Sequence, residues 1–535
     1  MDINRIINKS ANYKTIVEEY KIGKLIVKDN LEPILYSKNI DWNYIHQNNE
    51  RTYQIYLHSL NIVKAFIQMY KNNNDHENLK IGKQIILDWY REDINLNDNN
   101  LAWNEHAVSY RVLNIIYFQE NAGKNKLPNK IFKDIIDKHV KFLNDDKNYR
   151  ENNHGIMMDN SLLIISNYLT DIAVKNLIIE KVYYRLTSCV YRDFSYKGLH
   201  LENSPEYHIL VVNLLKKSKL ILEDLGRPFS KNINEILVSA EQLNSIIIKP
   251  NKEFPLIGDT SLIRNSKMPK KFTDFVDYEA GVSVLHNRNE NNYKKSTWFM
   301  FKTGYQRLTH KHQDDLSFSL YTHGKDIFID SGKFSYDNSD TRKFLVSPHA
   351  HNTLLVENKN YNLKNPMKDQ LKMSLSKVIN KNQYKLVSGK NNLYHATYLS
   401  RTCVLTKNNS LIIFDSATSK IKQTYIQNFV LTPEARITEL SESKFEIEVG
   451  EEQYILEYVS SDRGSIESTV SDSKVSYQFG KMELNQRVQF KKNTYKTNFL
   501  TVFYNKRDEN ILNDIHINRH SIIYWDDGNK VTINL

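Results

Sequence analysis

Two cysteines, Cys189 and Cys403, are all the thiol this 535-residue chain carries, and they lie far apart. No disulfide framework is implied. Glycine and proline are scarce, at 16 and 10 residues, which argues against a linker-rich or disordered chain. No run approaches the ~18 consecutive apolar residues of a membrane span. The opening Met1-Asp2-Ile3-Asn4-Arg5 leads into no apolar signal segment. As written, the chain therefore reads as soluble and cytoplasmic, or as secreted or periplasmic if a leader has been trimmed away. There is no long Lys/Arg run and no nucleic-acid-binding motif, so no nucleic-acid partner is expected. The sequence leaves the oligomeric state open.

Hydrophobic residues make up 40% of the chain and aromatics 11%, enough for a large core and more than one domain. The 73 basic and 62 acidic residues leave a formal charge of +11, which favours an anionic partner. The first half carries helical periodicity. In Thr52–Tyr70 the apolar stripe runs Tyr56, Leu60, Val63, Ile67, Tyr70. Similar stretches follow at Asn78–Trp89, Glu105–Phe118, Lys130–Leu143, Ser161–Leu169, Val174–Val190 and Ser204–Leu225, several divided by short polar loops. Short connections predict antiparallel helical hairpins. Asp93–Asp98 resembles a calcium loop only faintly, lacking its Gly and closing Glu, and is read as a polar loop.

From about Tyr278 the period changes to two. Strands are predicted at Gly281–His286, Ser296–Lys302, Thr353–Val356, Lys372–Val378, Tyr394–Leu405, Ser410–Asp415, Lys444–Val449, Gln453–Tyr458 and Asn498–Tyr504. Many short strands predict an antiparallel β-sandwich. The boundary is placed at a basic, Pro-containing link near 262–277, giving a helical domain over 1–270 and a β domain over 271–535.

The densest chemistry lies in Thr309–Thr353, which holds five of the 17 histidines. Leu316, Phe318 and Leu320 alternate with polar residues as in a half-buried strand. Asp326–Asp330 reads as a second strand, joined to the first by a turn at Thr322-His323-Gly324-Lys325. A hairpin can gather His312, Asp330 and His351. Two imidazoles and a carboxylate suit zinc or a similar divalent ion, with calcium the alternative. His310 and His312, two apart on an extended strand, would face one side, one to the metal and the other to a cleft. In the helical half, Glu151-Asn152-Asn153-His154-Gly155 sits at a loop-to-helix junction. Ser204 and Pro205 are a natural N-cap and N1 ahead of Tyr207 and His208.

H-x-H-x-D, I-D-S-G, F-S-Y, Arg342 and A-H-N-T resemble the C-terminal half of the heparinase II/III-like polysaccharide lyases. Asn153-His154, S-P-E-Y-H at Ser204–His208, W-N-E-H-A-V-S-Y-R at Trp103–Arg111 and P-L-I-G-D-T at Pro255–Thr260 resemble that family's helical half. The resemblance implies an α/α toroid followed by a β-sandwich. It implies β-elimination on a uronate-containing polysaccharide, of heparin or heparan sulfate type first, then alginate, hyaluronan or a bacterial exopolysaccharide. Asn153 and His154 would hold the substrate carboxylate and Tyr207 would be the general acid or base. His310 would be the base for the opposite C5 face. Tyr336, Arg111, His208 and Arg342 would touch substrate. His312, Asp330 and His351 would hold a structural metal ion. Glu206, beside Tyr207, would repel an anionic substrate. The alternative is a non-catalytic or biosynthesis-associated polysaccharide-binding protein on the same fold. A glycoside hydrolase needs carboxylates on both sides of a cleft, and Glu202 and Glu206 come from one helix start.

Overall fold

The computed structural model describes residues 2–534 apart from 30, 38, 48, 94–100, 460–465, 509–514, 519–520 and 527–528. Residues 94–98 of the calcium-like loop therefore lie outside the described residues. The chain forms two compact units: Met1–Arg192 with Leu210–Leu237, and Asp193–Ile209 with Val238–Leu535.

The first unit is helical. After α1 (Tyr13–Lys21) and a short hairpin of β1 (Lys24–Leu25) and β2 (Ile34–Leu35) come α2 (Glu50–His58), α3 (Asn61–Asn73), α4 (Glu77–Glu92), α5 (Glu105–Asn121), α6 (Asn129–Asn144) and α7 (Asn153–Ile165). The long helices α8 (Ile172–Asp193) and α9 (Pro205–Asp224) follow, then α10 (Lys231–Ile247). The single helix expected over Thr52–Tyr70 is two. Ser59 ends α2, and Leu60, with φ 52°, turns the chain through the left-handed region before α3. Helices α5 and α7 carry buried residues all round rather than on one stripe, because α5 packs against α3, α6 and α7.

The second unit is layered. A five-stranded antiparallel sheet runs in sequence order: β3 (Phe275–Asp277), β4 (Val282–Asn287), β5 (Thr297–Lys302), β6 (Ser317–Thr322) and β7 (Lys325–Phe328). Its one face shares a core with the ten-stranded sheet, where Phe299, Phe301, Phe318 and Leu320 meet Val387, Leu399, Phe429 and Phe503. On its other face Val282, Val284, Trp298 and Met300 meet Leu243, Ile247 and Ile248. Covered on both faces, β6 is buried at every residue, so the half-buried reading of Leu316–Leu320 is corrected. The β6–β7 turn is as expected, with positive φ at His323 (51°) and Gly324 (89°).

The larger sheet comprises β8 (Leu354–Val356), β9 (Met373–Asn380), β10 (Tyr384–Asn391), β11 (Thr397–Thr406), β12 (Leu411–Val430), β13 (Arg436–Ser441), β14 (Lys444–Val449), β15 (Glu452–Tyr458), β16 (Glu467–Gln478) and β17 (Lys481–Asn505). β12 and β17 run 20 and 25 residues and pair antiparallel, with a register shift between Thr418 and Gln423. Periodicity reads only their most apolar ends, because polar side chains occupy the shift. A three-stranded sheet of β18 (His516–Asn518), β19 (Ser521–Asp526) and β20 (Asn529–Asn534) contributes Ile522, Tyr524, Val531 and Ile533 to a further core with Leu386, Ile412, Leu500 and Val502. Among the described residues no helix is long and apolar enough to cross a membrane.

Candidate active site

The start of α9 and the loop before β6 build one cluster in the second unit. Ser204 caps α9, its Oγ accepting from the Tyr207 N–H at 3.4 Å while donating to the Asp259 carbonyl at 2.9 Å. Asn203, at φ 61°, donates through Nδ2 to the carbonyls of Arg307 (2.7 Å) and Thr309 (3.1 Å). Gly258, at φ 55°, lets this backbone close up: a Cβ there would lie 2.4 Å from the Asn203 oxygen and 2.8 Å from that of His310. His310 is itself at φ 57°. His310 and His312 therefore lie on an irregular turn, not an extended strand, and diverge because the turn separates them.

His310 stacks on Tyr207 with ring centres 3.5 Å apart and planes 19° from parallel. The Tyr207 hydroxyl shares a hydrogen bond of 2.8 Å with the hydroxyl of Tyr336, whose side chain is exposed. The buried Glu202 carboxylate faces Nδ1 of His310 at 3.3 Å. Burial pushes the Tyr207 phenol above its ordinary pKa; the hydrogen bond from Tyr336 opposes this, and Glu206, Asp259 and Glu202 reinforce it. Glu206 does not confront a substrate as an open charge: it pairs with Lys333 at 2.6 Å and accepts from the Ser261 N–H at 2.8 Å. That corrects the expected repulsion.

His312, Asp330 and His351 converge, one ligand atom from each lying within 4.8 Å of the others, and all three are buried. The donor set fits a divalent ion. His312 reaches Asp259 through Nε2 at 3.0 Å, a carboxylate of the kind that orients a metal-binding imidazole, while its Nδ1 lies 3.5 Å from the Ser331 hydroxyl. Nε2 of His351 is buried with no hydrogen-bond partner. Nδ1 of His351 meets Asp330 at 2.8 Å. Burial would raise the Asp259 carboxyl, but hydrogen bonds and charge from His312 and Arg342 hold it well below the usual carboxylate range. Arg342 grips Asp259 with both arms, at 2.5 and 3.1 Å. This bidentate pair commits one edge of the guanidinium to Asp259, so Arg342 is first an ion-pair partner and not the open substrate-binding group expected.

Between the two histidines, the side chain of Lys311 is fully buried. Its ammonium contacts Asp314, Asp315 at 2.9 Å and the His312 carbonyl at 2.7 Å. Lys302 pairs with Asp314 at 2.6 Å. Asp315 also accepts from the Gly304 N–H at 2.8 Å and the Tyr361 hydroxyl at 2.7 Å. Two ammonium groups and two carboxylates thus brace this loop from below. Asp314 stood out in the sequence only as the close of H-x-H-x-D and Glu202 only as a hydrolase carboxylate; Lys302, Lys311, Asp315 and Lys333 did not, since single charged residues carry no spacing signal.

In the helical unit Asn152, not Asn153, caps α7, accepting from the His154 N–H at 2.9 Å. That leaves the half-buried Asn153 amide without a hydrogen bond among the described residues. His154 meets Glu105 through Nδ1 at 2.9 Å, and this hydrogen bond lowers the Glu105 carboxyl pKa. Two expected substrate contacts are corrected. Arg111 is 0% exposed, donates to the carbonyls of His58 (3.0 Å) and Ala102 (2.7 Å) and lies over the rings of Trp89 and Trp103. In the second unit His208 is buried with both nitrogens engaged, Nδ1 by the His200 N–H at 3.1 Å and Nε2 by the Ala240 carbonyl at 2.9 Å. Burial of the surrounding wall uses these two polar groups as struts.

Comparison with known proteins bears on the family and the fold. The chain matches the family description "Heparinase II/III N-terminus" over residues 4–286 and "Heparinase II/III-like, C-terminal" over 269–513. It is 25% identical over 205 residues to a heparin-sulfate lyase of Bacteroides stercoris, a match covering 32% of this chain and 30% of that relative's length. A solved heparinase III has 16% identity and a TM-score of 0.80, with 100% of this chain and 92% of that one covered. A heparan sulfate lyase of Pedobacter heparinus has 15% identity and a TM-score of 0.75, covering 100% and 90%. These structures share the fold, an α/α toroid followed by an antiparallel β-sandwich. With the N-terminal description alone spanning more than half the sequence, the chain belongs to the heparinase II/III family of polysaccharide lyases.

Proposed function

We propose that this protein cleaves a uronate-containing anionic polysaccharide by β-elimination, with heparin- or heparan-sulfate-type chains first among substrates. Alginate, hyaluronan and bacterial exopolysaccharides follow. The observation that carries the reading is the Tyr207–His310–Tyr336 cluster, a protonated phenol stacked against an imidazole. Burial keeps the Tyr207 phenol protonated at neutral pH, so in this reading it serves as the acid and not as the base. His310, with Glu202 facing Nδ1, offers Nε2 as the base. The base removes the C5 proton, the C5 electron pair forms the C4–C5 double bond, and the C4–O4 bond breaks as Tyr207 protonates O4. By the family resemblance, Asn153 and His154 would donate hydrogen bonds to the carboxylate as charge develops on it. Tyr336 shares a proton with Tyr207 and touches substrate.

A metal ion held by His312, Asp330 and His351, zinc by its nitrogen and carboxylate donors, would supply fixed positive charge tying the ends of these loops together. His310 and Tyr207 move the protons.

The test is ultraviolet absorbance of wild type and Tyr207→Phe with heparin, heparan sulfate, hyaluronan, alginate and bacterial exopolysaccharides. Wild type should produce a rise from unsaturated uronate with at least one polymer, and Tyr207→Phe should lose it by about 100-fold or more, the scale of a general acid. Cleavage that yields saturated ends, or polymer binding with no cleavage, would overturn the reading.

A further inference from the structure

The helical unit contains a cavity that the proposed elimination does not use. It is about 50 Å³, against the roughly 15 Å³ that one water needs, so it has room for a small polyatomic group. Lys64 of α3 and Lys217 of α9 both line it, and no lining residue is acidic. Several of its neutral donors are already engaged. Ser109 donates to the Glu105 carbonyl, Ser161 to that of Ser109, Asn114 to that of Ser59 and Asn160 to that of Leu214. Lys64, Lys217 and Tyr110 are the lining groups whose donors matter most for an anion. The Lys64 ammonium and the Tyr110 hydroxyl have no hydrogen-bond partner among the described residues. Lys217 makes one bond, 2.8 Å, to the Asn8 side-chain oxygen, which leaves it two protons.

Half-buried ammonium groups sharing a cavity without a carboxylate are costly, and an anion is what removes the cost. Burial lowers the pKa of both lysines; Lys64 pushes Lys217 down further, while the charge of Asp29 partly offsets the burial of Lys64. The cavity is also linked to the Asn153–His154 pair by ring contacts, one edge-on and one tilted. The His154 ring lies 5.4 Å from that of His106, and His106 lies 4.9 Å from Tyr110, one turn further along α5.

We propose that this cavity is an anion-binding site, holding a sulfate-, phosphate- or carboxylate-sized group on Lys64, Lys217 and Tyr110. The chemistry suits a free inorganic ion and a charged substituent of a glycan alike. Calorimetric titration of the full chain separates them, and because it reads heat it does not depend on lyase activity. Sodium sulfate and sodium phosphate are titrated at constant ionic strength, followed by a short sulfated uronate oligosaccharide in the presence and absence of sulfate. Wild type should bind one equivalent of inorganic anion. Lys64→Gln and Lys217→Gln should each weaken binding about tenfold or more, as the loss of one charged contact does. Lys64→Arg, which keeps the charge, should stay within a few-fold of wild type, which separates lost contact from lost folding. Competition between oligosaccharide and sulfate in wild type would assign the site to the glycan; independent binding would assign it to the free ion. No saturable anion binding by the folded wild type, or an affinity unchanged in Lys64→Gln, overturns the proposal.

Discussion

Lys311 sits between two histidines in a stretch rich in charge, where a cation would ordinarily be taken as a substrate contact. The structure buries it completely, with side-chain exposure of 0% for Lys311, Asp314 and Asp315. Replacing it as Lys311→Met keeps the length of the stem and deletes the ammonium. Removing one partner from a buried ion pair costs about 3–5 kcal/mol. Part of that is offset here, because Asp314 keeps Lys302 and Asp315 keeps the Gly304 N–H and the Tyr361 hydroxyl. A loss of about 3 kcal/mol from the second unit follows, the lower end of that range. Urea denaturation followed by tryptophan fluorescence reads it, since Trp298 is buried in this unit and Trp89 in the other, so the two units need not be treated as one transition. The Lys311 ammonium also holds the His312 carbonyl, so His310 and His312 should lose their positions and kcat should fall with KM little changed. Paired with Asp315→Asn, the loss should be less than additive, as expected for residues in contact. A variant of unchanged stability and raised KM would refute this reasoning and make Lys311 a substrate contact.

Three further outcomes follow from the same geometry. Arg111→Lys cannot reproduce a fork that spans two carbonyls and stacks on two indoles, so thermal unfolding should report a loss of about 2–4 kcal/mol with KM unchanged; a higher KM at an unchanged melting temperature would restore Arg111 to the substrate site. Buried imidazoles make the protein acid-labile. Burial lowers His106 and His208 to a pKa of about 4 and His200 to about 3, below the ordinary 6.5. As pH falls from 6.5 towards 4, the unfolded chain takes up protons that the folded chain refuses, so stability declines through that window, by on the order of 3 kcal/mol for His208 alone. Urea midpoints measured from pH 7.5 to 4.5 should fall steadily, and a flat profile would count against neutral, buried histidines. Purified protein should carry about one divalent ion by elemental mass spectrometry, and chelation or His351→Ala should lower the melting temperature; metal-free protein with a melting curve indifferent to chelator would remove the metal from the site.

Much of the fold was legible because it rests on local periodicity. The Glu105, Asn129 and Pro205 helix starts fall within a residue of their predicted positions, and Lys444–Val449 is a strand as read. What escaped were features with no local signature. The break at Leu60 interrupts an unbroken apolar stripe, and β12 and β17 continue through polar residues because their neighbours supply the pairing. At the site, residue types and spacing sufficed to single out the His312–Asp330–His351 set, whereas Tyr207, His310 and Tyr336 were assigned roles only through the resemblance to the family's motifs.

Sequence by itself determined the helical-then-β order, the family resemblance and the candidate side chains, because periodicity, caps and motifs are written in neighbouring residues. Tertiary structure alone decided which of those side chains remain available. Arg111, His208, Arg342 and Lys311 all look like open polar groups in a one-dimensional chain. Each is taken up by carbonyls, rings or carboxylates that lie distant in sequence or behind a turn, and burial obliges a charged or polar group to find such partners. The same folding turns His310 and His312 apart, one towards a phenol and a carboxylate, the other into a prospective metal site.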